Sequence, residues 1–102
     1  MSAASGDTVA HEEHGKRGSF FIDRDGARVA TMTYRRLDAA TILVDHTLVT
    51  PALRGGGLAR RLLDAAVDWA RATGTRITPH CAYVVAQFAA DGSIGDVLTP
   101  QR

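Results

Sequence analysis

The stretch HTLVTPALRGGGLARRLLDAAVDWA, residues 46–70, decides how this chain is to be read. It opens as an alternating, β-branched segment and crosses three consecutive glycines at 55–57. Beyond them the hydrophobic period changes from two to about 3.6. Leu58, Leu62, Ala66, Trp69 and Ala70 then fall on one face, with Arg60, Arg61, Asp64, Asp68 and Arg71 on the other. The spacing predicts an amphipathic helix over Leu58–Thr73, ended by Gly74. A strand, a glycine-rich turn and a helix start, in that order, make an anion site, because the first helical N–H groups lack partners and the macrodipole places positive charge there. Glycine at that point lets backbone wrap a phosphate with no Cβ in the way.

Two phosphate motifs do not fit. A P-loop needs Lys followed by Ser or Thr after its last glycine, and the dinucleotide fingerprint spaces its glycines differently.

Working outward, SFFID (19–23), the turn signal RDG (24–26) and ARVATMTYRRL (27–37) predict two strands joined by a hairpin. DAA (38–40) breaks the pattern before TILVDHTLV (41–49), a third strand, so the three form an antiparallel meander. Downstream, TRITP (75–79) is a short strand stopped by Pro79, and AYVVAQFAA (82–90) a second helix closed by Asp91-Gly92. The last ten residues carry little pattern. Residues 1–17 are polar and small, and predict a flexible tail with a short edge strand near Val9, leaving 18–98 as one domain.

Composition narrows the functional classes. The 45% hydrophobic and 23% charged residues with a formal charge of +1 describe an ordinary globular domain, without the basic excess of a nucleic-acid binder. No apolar run is long enough to span a membrane. Cys81 is the only cysteine and the N-terminus has no apolar signal core, which makes a reduced cytoplasmic setting the expectation. His11 and His14 have metal-like spacing but lie in the polar tail without further ligands, so no metal is expected.

The run Arg54-Gly55-Gly56-Gly57-Leu58-Ala59 fits the Q/R-x-x-G-x-G/A signature of the GNAT superfamily of N-acetyltransferases, with Ala59 in the last position. Val49, Pro51 and Arg54-Gly55 resemble the family's lead-in. The resemblance extends to the minimal single-domain members, through His46-Thr47-Leu48-Val49 and Cys81-Ala82-Tyr83-Val84. Gly56 and Ala82 depart from it, standing where relatives often carry Lys and Pro. The resemblance implies an α/β fold: a mainly antiparallel sheet of four or five strands with two helices on it. It also implies acetyl-CoA as cosubstrate, its pyrophosphate cradled by Arg54, Gly55, Gly56, Gly57, Leu58, Ala59 and Arg60, and its pantetheine arm along the strand at Leu48 and Val49.

Three residues are candidates for the chemistry. Cys81 follows the strand that, in this family, splays from its neighbour around the acetyl group, so it is either a nucleophile beside His80 or a small buried hydrophobe. Tyr83 is either a proton donor to the departing thiolate, as the family implies, or an aromatic packing residue. His46 shares a strand face with Val44 and Leu48, which suits a core histidine or a general base at the cleft mouth. The chain leaves no sequence for acceptor-site walls, so an open site is expected, one that admits a protein lysine or chain terminus. The reading is an N-acetyltransferase acting on an amine, directly or through Cys81; the alternative is a non-catalytic acyl-CoA-binding module.

Overall fold

The computed structural model describes residues 8–100. Asp25 and Gly26 both take positive φ, 51° and 79°. Their two-residue turn therefore has the twist that joins antiparallel strands without splaying them. It connects β2 (Arg17–Arg24) to β3 (Ala27–Asp38), and Ala39-Ala40 connects β3 to β4 (Thr41–Val49), with Asp38 Oδ1 accepting from Ala40 N at 2.8 Å. β1 (Ala10–His14) pairs with β2 at the edge. The sheet order is β1-β2-β3-β4-β5, antiparallel through β4, and β5 (Arg76–Pro79) runs parallel to β4. A parallel neighbour needs a crossover, and α1 (Leu58–Thr73) supplies it, with the bounds its periodicity predicts. α2 is Ala82–Ala90, also as predicted.

Alternation puts Phe20, Ile22, Ala30, Met32, Tyr34, Ile42, Val44 and Ile77 on one sheet face, where they bury against α1. The buried stripe of α1 is wider than its strict period suggests. Leu63 and Val67 join Leu58, Leu62, Ala66 and Ala70, while Trp69 is only partly buried. Val84 and Phe88 of α2 enter the same cluster, which leaves the opposite sheet face, with Thr33, His46 and Leu48, open. Leu48 is 62% exposed there.

One segment differs from the sequence reading. The C-terminal stretch forms a 3-10 helix over Gly92–Val97 that buries Ile94 and Val97, and Thr99 N then donates to Ile77 O at 2.9 Å. Residues 1–7 of the expected tail lie outside the described residues; of the rest, Ala10–His14 form β1, the edge strand expected near Val9, and Arg17 already belongs to β2. The edge strand is held by a polar clasp that composition does not reveal. The Tyr34 hydroxyl donates to Glu13 Oε1 at 2.6 Å, and His11 Nε2 lies 2.6 Å from the same hydroxyl. The His11 ring stacks on Phe20 at 4.2 Å and meets the Trp69 edge at 5.0 Å, while Arg36 pairs with Glu13 at 3.1 Å. No helix among the described residues is long and apolar enough to cross a membrane.

The clasp yields two tests. A Cβ at Gly18 would overlap Cζ and the hydroxyl oxygen of Tyr34, a ring only 1% exposed. Gly18→Ala should therefore cost about 1–3 kcal/mol, read as a lowered thermal midpoint. The Tyr34 hydrogen bond, with help from Arg36, holds the Glu13 carboxyl below its ordinary value of 4.5. A depressed carboxylate contributes stability above its unfolded pKa and loses it as pH falls through the folded one. Wild-type stability should thus decline below about pH 4.5, and Glu13→Gln should remove part of that decline.

Candidate active site

The site begins where β4 and β5 part. Their parallel register runs from Thr41↔Arg76 to Val44↔Pro79 and stops. The Val44 carbonyl then accepts two bonds, from His80 N at 3.0 Å and Cys81 N at 3.2 Å. On its other edge β4 slips against β3 between Thr33↔His46 and Tyr34↔Val44, leaving Asp45 as a bulge. Past the bulge β4 continues to Val49 beside β3 alone. Thr50 N donates to Val29 O at 2.8 Å. In an antiparallel ladder every second residue bonds across, so His46 and Leu48 bond to β3 while Thr47 and Val49 turn their backbone groups into the gap.

At the far end of that gap lies the glycine loop. After a 3-10 turn at Pro51–Leu53, Gly56 N donates to Leu53 O at 3.3 Å. Gly55 and Gly57 sit in the left-handed region, at φ 86° and 85°, where a side chain is strained. Gly57 caps α1, whose first backbone bond is Arg61 N to Gly57 O at 3.1 Å. The N–H groups of Leu58, Ala59 and Arg60 come before that bond and have no carbonyl within the helix. A cavity of about 240 Å³ joins this loop to Val49, Leu53 and Tyr83. Burial raises the Tyr83 pKa, so its phenol keeps its proton. These groups fit a pyrophosphate on the loop and a thioester towards Tyr83.

The structure divides the predicted site residues into two sets. Val49, Arg54, Gly55, Gly57, Leu58, Ala59, Arg60 and Tyr83 line one cavity, with Gly56 in its loop. Cys81 caps α2, partly buried, with its sulfur 3.3 Å from the Thr47 hydroxyl. The Asp45 bulge overturns the expectation for His46, which does not share a face with Val44: it is exposed on the open face with Leu48. The Leu48 side chain lies away from the gap for the same reason. His80 is exposed, and no hydrogen bond among the described residues joins its ring to the Cys81 sulfur. Thr47 enters the sequence reading only as part of His46-Thr47-Leu48-Val49 and with no role of its own, since nothing in the sequence marks the bulge that turns it to the gap.

Arg60 has a structural task. Its Nε donates to Asp64 at 2.8 Å and its terminal nitrogens to Gln87 at 2.7 Å and Asp91 at 2.5 Å, tying the start of α1 to the end of α2. Asp91, bonded by Ser93 and then by Arg60, is pulled down to about 2. Arg54 donates through Nε to Val49 O at 3.3 Å and is exposed, which leaves its charge at the loop mouth. Among the described residues no group of three or more His, Cys, Asp or Glu could hold a metal ion.

The family model described as GCN5-related N-acetyl-transferase matches residues 19–97. No curated protein matches the chain. The fold is similar to the solution structure of a GCN5-like protein from Staphylococcus aureus, with TM-score 0.73 and 28% identity over 97% of this chain and 94% of that one. It is also similar to the ribosomal-protein-S18-alanine N-acetyltransferase from Escherichia coli, with TM-score 0.63 and 17% identity over 76% of this chain and 53% of that one. A third similar structure is AAC(6')-Iy in complex with the bisubstrate analog CoA-S-monomethyl-acetylneamine, with TM-score 0.55 and 16% identity over 85% and 65% of the two chains.

Gly57→Val tests the loop, since a β-branched residue at φ 85° is strained by about 1–2 kcal/mol and its Cβ, which meets no protein atom within 4 Å, projects into the open space over the loop. Coenzyme A titrated into labelled wild-type protein should move the amides of Arg54–Arg60. The variant should stay folded and lose that response.

Proposed function

The chain belongs to the GCN5-related N-acetyltransferase family, and from that premise we propose that it transfers acetyl from acetyl-CoA directly to a primary amine on a peptide or protein. What carries this reading is one cavity lined together by the glycine loop, the start of α1, Val49 at the end of β4 and Tyr83. The helix-start N–H groups and Arg54 hold the phosphates. Thr47 offers a backbone donor and acceptor, and Val49 its N–H, to an extended arm, as a sheet edge does to an added strand, while the Val49 carbonyl is met by Arg54 Nε at 3.3 Å. Acetyl-CoA supplies an activated acyl group. As the amine nitrogen bonds to the acyl carbon and the carbon–sulfur bond breaks, the Tyr83 proton passes to the leaving sulfur, and the proton the nitrogen sheds passes through water to restore the phenol. Among the described residues, two α-helices and a five-stranded sheet leave the amine side unwalled, which favours an exposed lysine or a chain terminus over a small metabolite. A cytoplasmic setting belongs to the same proposal, since a lone thiol in the site persists where thiols are kept reduced.

A second reading has one observation in its favour: the Cys81 sulfur borders the gap. A covalent route would move acetyl to that sulfur and then to the amine, but no imidazole is bonded to it to take the thiol proton. Cys81→Ser separates the routes. Direct transfer predicts coenzyme A affinity and turnover near wild type, with about 1–2 kcal/mol lost in stability. Loss of nearly all turnover with binding intact, and an acetylated wild-type protein by intact mass, would establish the covalent route instead. Coenzyme A binding without acetylation of any amine peptide would leave a binding module.

A further inference from the structure

On the open sheet face four polar side chains stand in one cross-strand row. Glu12 is opposite Ser19, Ser19 opposite Thr33, and Thr33 opposite His46. They border a cavity of about 400 Å³ that also reaches His14, Arg17 and Leu48. The row spans about 14 Å, three inter-strand spacings. It ends at His46, whose chain neighbour Thr47 touches the Cys81 sulfur across the gap. The cavity and the transfer site are thus the two sides of one strand.

Its charges are unequally matched. Glu12 is met by Arg28 at 3.2 Å, and Asp45 accepts from the Thr33 hydroxyl at 2.6 Å. One row further along, Arg17 and Arg35 lie directly opposite each other on β2 and β3, with His14 opposite Arg17 on β1. Like charges so placed destabilise a sheet. Arg35 has no ion-pair partner among the described residues, and Arg17, its side chain 74% exposed, reaches only Asp45 at 4.0 Å. The unanswered charge on this face is therefore positive, about 7 Å along the strands from His46, or two residues of extended chain.

Resting on the transferase reading above, we propose that this groove receives the acceptor, and that the acceptor is an acidic peptide segment. Its free amine lies at His46, and a carboxylate two residues on lies between Arg17 and Arg35. The His46 imidazole takes the proton that the attacking ammonium must lose. Leu48 gives the segment an apolar rim.

Two peptides with free N-termini, Ala-Ala-Asp-Glu-Gly and Ala-Ala-Lys-Arg-Gly, test this in labelled protein with and without coenzyme A. The acidic peptide should shift the amides of Arg17, Ser19, Thr33, Arg35 and His46. With acetyl-CoA its kcat/KM should exceed that of the basic peptide by about tenfold at low salt, and the ratio should shrink as salt is added. Arg17→Glu combined with Arg35→Glu should reverse the preference while coenzyme A affinity is unchanged, and Arg35→Gln alone should weaken it. Equal handling of the two peptides, shifts confined to another surface, or a short oligonucleotide that moves these amides more strongly than the acidic peptide would overturn the proposal. Because peptide shifts are read without coenzyme A, they stand or fall apart from the transferase reading, which fails only if coenzyme A leaves Arg54–Arg60 unmoved or no amine is acetylated.

Discussion

The Val44 carbonyl is the hinge of the architecture. It receives both His80 N and Cys81 N, and nothing beyond it on β4 is paired towards β5. β5 is four residues long and ends in Pro79, which has no N–H to extend the ladder. The chain turns away at that point into α2, with Cys81 as the cap. The backbone groups of Thr47 and the N–H of Val49 are left facing a gap, while the Val49 carbonyl is met by Arg54 Nε at 3.3 Å. Unpaired backbone polar groups are costly when buried and tolerable where water or a bound molecule reaches them. A sheet that stops pairing halfway along a strand therefore has a binding edge built into it.

Asp45 adds a second consequence. Before the bulge, Ile42 and Val44 point to the core; after it, Thr47 and Val49 take that side, and His46 and Leu48 go to the open face. One strand thereby serves two surfaces. Its inner side meets the glycine loop and Cys81, and its outer side carries an imidazole at the end of a polar row. A one-residue slip flips every later side chain, so a single unpaired residue is enough.

The elements legible in the sequence are those fixed by local chemistry. The period of Leu58–Thr73, Gly74 as its cap and the Asp25-Gly26 turn each depend on neighbours a few residues away, and each lies where the sequence puts it. The glycine loop was readable for the same reason, as backbone that must take positive φ before a helix. What was not legible depends on distant partners. AHEEH has little strand pattern of its own, and the edge strand expected near Val9 is held by Tyr34, more than twenty residues away, through Glu13 and His11. Ile94 and Val97 become core only because the sheet and α1 leave room beneath them. Nothing in TILVDHTLV marks Asp45 as a bulge, so a count by twos from Val44 puts His46 on the core face. Arg60 reads as a solvated or phosphate-binding residue until α2 is placed beside it.

A domain of this size buries too little surface for its periphery to be secured by the core alone. Its outlying pieces are held by charged ties instead: Glu13 to Tyr34 and Arg36 for β1, Arg71 to Asp96 for the C-terminal turn, and Arg60 to Asp91 and Gln87 for α2. The last has the largest effect on chemistry, because α1 carries the loop amides and α2 carries Cys81 and Tyr83. Their separation sets the width of the cavity that both line. A tie that titrated near neutrality would make that width depend on pH. Asp91 titrates at about 2 and arginine stays charged, so the carboxylate gives up the tie only as pH falls from its ordinary 3.8 through that value. The tie between the start of α1 and the end of α2 is thereby kept at neutral pH.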